Sequence, residues 1–572
     1  MLRLSPKINY LAVLMVALVG AATRAIAGDT ITVAPKFYHI DKAHKLILIN
    51  KPAAEINAAS GAPKSHLALD EYYTFQKQPI SVSTASSYHA ESKNLDYTVY
   101  FTELPIIHID TRNEIVDSPS VYAKFLLSEA NGAITKSNLG IEIRGGWSQT
   151  YPKKSYELSM WQDTIGAETQ DLSLLNMRND NKWNLQAMYN EPLRNRNKVS
   201  HELWQEIHQI YYKDKEPEAK SGIAMVYVEL FLNNEYKGIY ALSERIDRKQ
   251  LKLKKYNKGI VGELYKGGDW GPAVMFTGLP AFDNTSLTWG GFEYKHPEEE
   301  TDWSNLYDFV SFVENSTDQE FYSQYQKRFN LRNAVDYYIF LNLLRATDNT
   351  GKNIYLAKYK TGEPYYYVPW DLDGVFGTDW QGQYVNISND ILSYGFYKRL
   401  IKDNTYKGFN ETLYSRWDEL RATVLTEERI LAKFQASHYY LLSNNAYERE
   451  HTVWQDFTYN EADITYTNNW LKNRLRYLDL AFEQSSPVLK NEASKYNPIV
   501  KFYPNPTSDY LIVENNSTLG ELTIQDMNGR VVLTSLLTGK NSKLAVGHLA
   551  KGIYIVIIKT DKAVSTEKLI IN

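Results

Sequence analysis

The sequence contains no cysteine, which excludes disulfides, Cys-ligated zinc or iron–sulfur centres and a thiol nucleophile together. None of the 11 histidines falls in a His-Glu-x-x-His pattern, so the usual zinc-peptidase arrangement is missing. A Gly-x-Ser-x-Gly elbow for a serine hydrolase is also absent. Beyond the first residues no run is long and apolar enough to cross a bilayer, so no transmembrane segment is expected in the mature chain. A formal charge of −4 gives no basis for nucleic-acid binding.

What is present reads as a modular, exported chain. At 572 residues it is too long for one ordinary core and fits two or three domains. Hydrophobic residues at 43% and charged residues at 23% are globular proportions. Aromatics reach 13%, with 44 Tyr and 12 Trp, a bias suited to surface binding. Arg3 and Lys7 precede an apolar run of about a dozen residues and then Ala25-Ile26-Ala27, the pattern of a secretory signal peptide over residues 1–27. Its removal takes away Arg3, Lys7 and Arg24 and no acidic residue, moving the charge from −4 to −7.

Residues 28–100 read as a small β-rich region, with short runs at 45–49 and 80–83 between Ala/Ser/Pro-rich links. Residues 486–500 read as a linker. Beyond it, Leu511 and Val513, Leu522 and Ile524, Val531 and Leu533, and Ile553, Ile555 and Ile557 mark alternating strands. Asn528-Gly529 supplies a tight turn, because both residue types tolerate positive φ. A β-sandwich is expected over 501–572.

The centre must carry any chemistry. Residues 331–346 read as an apolar helix, with Val335, Ile339 and Leu343 at four-residue spacing, stopping before Asp348-Asn349-Thr350-Gly351-Lys352-Asn353. Two β-like runs, 354–359 and 365–369, follow around Thr361-Gly362, and the second delivers Trp370-Asp371-Leu372-Asp373-Gly374. Helix, Asp-x-x-x-x-Asn loop, hairpin and terminal Asp is the order in which protein kinases place their catalytic groups. Phosphoryl transfer needs a carboxylate beside the attacking hydroxyl and oxygen ligands for Mg²⁺. Asp348 suits the first role and Asn353 and Asp371 the second. Asp373 can serve as a further ligand or exchange roles with Asp371.

Neighbouring blocks extend the pattern: Ile143-Arg144-Gly145-Gly146-Trp147-Ser148, Pro152-Lys153-Lys154-Ser155-Tyr156, Arg196-Asn197-Lys198-Val199, a block over 227–245, and VPWDLDGVFG over 368–377. Together they resemble the CotH family of atypical protein kinases, over roughly residues 104–480. The C-terminal Tyr503-Pro504-Asn505-Pro506, Met527-Asn528-Gly529-Arg530, Lys551-Gly552-Ile553-Tyr554 and Lys568-Leu569-Ile570-Ile571 resemble the type A sorting domain of type IX secretion.

The first resemblance implies an α+β chain whose kinase-like domain spans 101–485; Leu413, Trp417 and Leu420 are spaced for one helix face, so 410–482 reads as a helical extension that closes it. It implies ATP with Mg²⁺ or Mn²⁺ as cofactors, Asp348 as catalytic residue and Asp371 as metal ligand, with a secreted or cell-surface protein as substrate. Lys154 would contact nucleotide phosphates, with Lys153 as its alternative. Arg144 and Arg196 suit oxyanion contacts or structural ion pairs. Glu202, on a helix starting near Asn197, is the candidate partner of the lysine, with Glu229 and Glu244 as competitors. The second resemblance implies the type IX machinery as partner and a secreted or cell-surface location. The Gly-x-Gly-x-x-Gly loop and the His-Arg-Asp triplet of ordinary kinases are absent, with Ala346-Thr347-Asp348 in place of the latter.

Two other classes compete. The clustered Asp371 and Asp373 resemble the paired carboxylates of a glycosidase, but such pairs usually come from different strands and flank a sugar. A surface or matrix protein using a kinase-like scaffold only for binding has the same motifs, since fold does not fix activity.

Overall fold

Seven short strands open the chain: Thr30–Thr32 (β1), Tyr38–Asp41 (β2), Leu46–Ile49 (β3), His66–Ala68 (β4), Tyr72–Phe75 (β5), Ser87–Ser92 (β6) and Leu95–Phe101 (β7). Alternation sets their faces: Tyr73 and Phe75 are buried while Tyr72 points out. They form one sheet in the order β1-β4-β5-β6-β7-β3-β2. Residues 80–83, expected as a strand, are irregular. The Asn57 amide takes the Val82 N–H and C=O, each at 2.8 Å, and so replaces a ladder partner.

This computed structural model describes residues 29–483, 500–515, 520–527, 529–560 and 564–572. The expected signal peptide, residues 486–499 of the expected linker, and Asn528 lie outside them. The chain divides after residue 480 into two compact units. The described residues mix α-helices with several β-sheets, and no described helix is long and apolar enough to cross a membrane.

In the first unit, Ile106–Asp110 (β8), Val121–Ser128 (β9), Ile134–Arg144 (β10) and Ser155–Trp161 (β11) begin a barrel. A side hairpin, Leu172–Ser173 (β12) and Asn179–Asp180 (β13), precedes its remaining strands, Lys182–Gln186 (β14), Met225–Leu232 (β15) and Glu235–Ser243 (β16). The barrel closes in the order β10-β11-β14-β16-β15-β8-β9. Its strands β15 and β16 are buried on both faces. Val228, Leu230, Tyr240 and Leu242 fill the barrel, while Tyr227, Ile239 and Ala241 face a second core.

That second core joins the barrel to a five-stranded sheet of Glu263–Gly267 (β17), Thr288–Trp289 (β18), Phe292–His296 (β19), Ile354–Lys358 (β20) and Tyr365–Pro369 (β21). Its order is β18-β19-β17-β20-β21. The hairpin expected around Thr361-Gly362 is β20–β21, paired from Ile354 opposite Pro369 to Lys358 opposite Tyr365.

Helices close the unit: Arg196–Ile207 (α1), Leu331–Leu344 (α2), Phe409–Arg421 (α3), Glu427–Ser443 (α4), Ala446–Val453 (α5) and Glu461–Glu483 (α6) are those that matter for the cleft. α2 starts at Asn330, whose side chain accepts the Asn333 N–H, and stops where Arg345 turns left-handed at φ 52°. It is buried on every face from Asn333 to Leu344, so its polar members need partners. Asn333 exchanges bonds of 2.6 and 2.9 Å with the Tyr367 backbone of β21. Asp336 binds Arg416 of α3 at 2.7 Å and His208 at 2.9 Å.

α5 is anchored to the barrel by consecutive buried charges. Arg449 pairs with Glu229 of β15. Glu450 accepts from Lys153 at 2.5 Å, from Arg194 at 3.2 Å and from the Ile239 N–H at 2.7 Å. The approach requires Gly238, φ 88°, where a Cβ would stand 2.1 Å from Glu450 Oε2.

In the second unit, Val500–Tyr503 (β22), Tyr510–Asn515 (β23) and Asn541–Ala545 (β26) form one sheet. Gly520–Asp526 (β24), Val531–Leu537 (β25), Gly552–Thr560 (β27) and Val564–Ile571 (β28) form another. Leu511, Val513, Leu522 and Ile524 share the enclosed core. On β27 the core face is Tyr554, Val556 and Ile558, the set alternate to the Ile553, Ile555 and Ile557 marked from sequence; Ile553 is 46% exposed.

The N-terminal sheet meets the barrel at two facing imidazoles. His39 Nδ1 lies 3.3 Å from His108 Nδ1, His39 Nε2 lies 3.3 Å from Ser128 Oγ, and the His39 ring stacks on Phe231. Burial, with the His108 charge adding, pushes the His39 pKa down to about 3 from 6.5. Its folded pKa is depressed, so its stabilising contribution is present above 6.5 and is lost as pH falls toward 3. In that window wild type should lose up to about 1.4 kcal/mol of stability per pH unit more than His39→Phe. Urea unfolding followed by tryptophan fluorescence checks this, since all 12 Trp lie in the first unit; equal slopes would refute it.

Candidate active site

A cleft of about 1220 Å³ opens between the barrel and the five-stranded sheet, and Arg144, Asp348, Asn353, Asp371 and Asp373 all line it. Each sits at or just beyond the end of a regular element. Arg144 ends β10, Asp348 begins a short 3₁₀ turn after α2, Asn353 precedes β20, and Asp371 follows β21.

The two loops are fixed to each other by Asn349. Its buried amide Nδ2 donates to the Asn353 carbonyl and to the Trp370 carbonyl, both at 2.7 Å. The Trp370 N–H also donates to the Asn353 carbonyl at 3.1 Å. Asn353 and Asp371 both take φ 54°, a left-handed conformation that Asn and Asp tolerate better than other non-glycine residues. The next turn is held from α1, where Asn197 Oδ1 accepts the Leu372 N–H at 3.2 Å. Asn190 Nδ2 donates to Asp373 Oδ2 at 2.8 Å.

The electrostatics around the three aspartates are those of like charges set close together. Burial raises the Asp348 pKa, and the Asp371 and Asp379 charges raise it further against Lys352, whose Nζ stands 3.4 Å away. Burial and the Asp371 charge push Asp373 well above the usual carboxylate range. Arg144 faces Asp371 without an ion-pair partner among the described residues; its Nη1 donates to Gln186 Oε1 at 2.6 Å and its guanidinium lies 5.6 Å from the Trp370 ring. Burial lowers its pKa, against the pull of Asp371. The loop after Arg144 needs Gly145, φ 110°, because a Cβ there would meet Ser148 Oγ at 2.0 Å.

Among the described residues no group of three His, Asp or Glu side chains forms a complete metal cage. Mg²⁺ does not require one, since it commonly takes one or two carboxylates and completes its shell with water and phosphate oxygens. Asp348, Asp371 and Asp373 supply carboxylates of that kind on one cleft wall.

The lysine and glutamate expectations meet a different geometry. Lys154 precedes β11, does not line the cleft, and spends its ammonium on the Gln149 and Tyr151 carbonyls at 2.7 and 2.6 Å. Lys153 lines the cleft but is fully buried against Glu450, the Ile239 carbonyl and the Tyr240 ring, and burial pushes its pKa down to about 7. Glu202 pairs with Lys198 one helical turn away, on a separate groove beside Tyr227 and Tyr440. Glu229 is taken by Arg449. Glu244 accepts from the Arg178 and Ala224 N–H groups and from Lys220. Arg196 is fully buried, with one bond to Thr467, and does not line the cleft. The partner that the lysine actually has, Glu450, lies 297 residues away in sequence, with no local signal to mark it. The sequence signal for Asn349 is local, an amide inside the Asp-x-x-x-x-Asn loop.

The family model described as CotH kinase protein matches residues 141–478, more than half of the chain. That of the secretion system C-terminal sorting domain matches 501–572, which indicates type IX secretion to the cell surface or beyond. No curated protein matches the chain. Strands β8 and β9, needed to close the barrel, precede the first match.

Asn349→Ala should cost about 1–3 kcal/mol, because the buried Trp370 carbonyl loses its partner. Urea unfolding gives the cost, and hydrogen exchange should speed up at the Asn353 and Leu372 amides. Unchanged exchange at both would show that the loops hold without this amide.

Proposed function

The chain belongs to the CotH kinase protein family, and from that premise we propose that its cleft transfers the γ-phosphate of ATP to a hydroxyl of a secreted or surface protein, with Mg²⁺ or Mn²⁺. The observation that carries the reading is the Asn349 bridge, which holds Asn353 and Asp371 together on the cleft wall that Asp348 also lines. Pre-positioned groups matter because phosphoryl transfer is mostly positioning and charge stabilisation.

Asp348 receives the proton of the acceptor hydroxyl, and its raised pKa brings it closer to a working general base. The Asn353 amide oxygen and the Asp371 carboxylate would hold the cation, which when bound neutralises phosphate charge. Asp373 backs Asp371 from a site fixed by Asn190. Arg144, with no carboxylate partner among the described residues, is placed to donate to phosphate oxygens. Its stacking on Trp370 limits its swing. Lys153 acts behind the wall, fixing β11 to α5 through Glu450.

One observation favours a second reading, a surface binding protein without transfer activity. Both Lys153 and Lys154 are already engaged, which leaves no lysine of this motif free for a nucleotide.

The full chain incubated with γ-labelled ATP, Mn²⁺ and extracellular proteins separates the two. Transfer should be seen in wild type and fall by roughly 10²–10⁴-fold in Asp348→Ala, the range expected on losing a general base. Asp371→Ala should abolish it. Absence of transfer in wild type, or equal transfer in Asp348→Ala, would contradict the kinase reading.

A further inference from the structure

The segment that follows Asp373 leaves the cleft and presents a surface that phosphate transfer does not use. From residue 361 to 397 the chain has no lysine or arginine. Within that stretch Trp380 and Tyr384 are 40% and 49% exposed. Gln381, Gln383, Asn386 and Asn389 are exposed between and beside them, and no described residue bonds to their side-chain amides. Solvent-facing rings interleaved with uncharged amides are thus gathered at the mouth of the cleft, which Trp380 itself lines.

The surface is held from behind. Thr378 and Tyr384 pair across a tight turn, in which Asp379 Oδ1 accepts the Gln381 and Gln383 N–H groups, both at 2.9 Å. Asn190 Nδ2 donates to the Trp380 carbonyl at 2.7 Å. The Trp380 ring meets Trp147 nearly at right angles at 5.3 Å, and the Tyr384 ring stacks on Tyr466 of α6 at 4.0 Å. α6 adds two more ties, from Tyr466 OH to the Gly377 carbonyl at 2.8 Å and from Trp470 Nε1 to the Ile387 carbonyl at 3.0 Å. Each ring is therefore braced on one side and open to solvent on another, so little side-chain freedom is left to lose on binding.

The composition of the surface selects its ligand. A side-chain amide offers donor and acceptor together, which is what neighbouring sugar hydroxyls require, and an exposed ring gives the C–H face of a pyranose a flat apolar contact. The charges at hand are Asp373, bonded to the same Asn190 amide, and Asp379, so an anionic chain is repelled. A polypeptide docked by its apolar side chains would use the rings and leave the four amides idle. We propose that the turn and strap over 378–390 bind a neutral polysaccharide, with Trp380 and Tyr384 as stacking surfaces and the amides as hydroxyl partners. This binding is independent of phosphate transfer and places the mouth of the cleft against a carbohydrate chain.

Native electrophoresis of the full chain in gels carrying hydroxyethylcellulose, galactomannan or polygalacturonate tests this. Wild type should be slowed by at least one of the two neutral polymers and not by polygalacturonate. The retardation should vanish in a Trp380→Ala, Tyr384→Ala double variant, whose fold is checked by urea unfolding. It should weaken at least roughly fivefold in a Gln381→Ala, Gln383→Ala double variant, as expected for the loss of a hydrogen bond; the side chains removed there touch no described residue, so the fold is not at stake. No retardation by either neutral polymer, retardation by polygalacturonate alone, or unchanged retardation in the glutamine variant would overturn the proposal. Capture of an extracellular polypeptide that depends on the rings and not on the amides would also overturn it, in favour of peptide docking. The glutamine variant should bind ATP as wild type does, so failure here leaves the nucleotide reading standing.

Discussion

Two hydrogen bonds from one buried amide hold the centre of this molecule. Asn349 spans the turn after α2 and the end of the β20–β21 hairpin, and with the Trp370 N–H and Asn197 it holds the loops in which Asn353 and Asp371 take a left-handed backbone. Such conformations cost on the order of 1–3 kcal/mol each where the surroundings do not impose them. The two bonds, at about 1 kcal/mol net apiece, are comparable. The amide can act this way because α2 is buried on all sides and is keyed to β21 through Asn333 and Tyr367. Helix, hairpin and both loops are therefore tied together by direct hydrogen bonds.

A second set of constraints decides where charge is free. Arg449 and Glu450 fasten α5 to the barrel with buried ion pairs, and removing one member of such a pair leaves a stranded charge at a cost of about 3–5 kcal/mol. These pairs consume Lys153, Arg194 and Glu229 structurally. The cleft wall keeps Arg144, without an ion-pair partner among the described residues, Lys352 beside Asp348, and an Asp348 and Asp373 whose pKa values are raised by burial and by the Asp371 charge. Buried carboxylates crowded around Asp371, in a cleft that also carries many Lys and Arg side chains, have the perturbed protonation that marks functional-site candidates.

Much of this was legible in the sequence, for local reasons. The apolar period of α2, the Thr361-Gly362 turn and the two Asp-bearing loops depend on neighbours a few residues apart, and the structure has them where the spacing predicts. The carboxylates and Arg144 share one cleft as their motif order suggests. What could not be read depends on distant contacts. Glu450 meets Lys153 only after the barrel has closed and α5 has docked, and Glu202, chosen for its place on a helix, turns out to face Lys198. The strand expected at 80–83 failed because a side chain, Asn57, competes for the backbone. The Ile553 register failed because a strand this apolar on both faces gives alternation no contrast to read.

The central claim is that Asp371, held by the Asn349 bridge, belongs to a cation-dependent nucleotide site. Calorimetric titration of ATP into the full chain tests it most directly, with Mg²⁺ and again with EDTA, beside Asp371→Asn. The account predicts saturable binding with Mg²⁺ that disappears in EDTA and in the variant. Binding of equal strength in EDTA, or in Asp371→Asn, would contradict it.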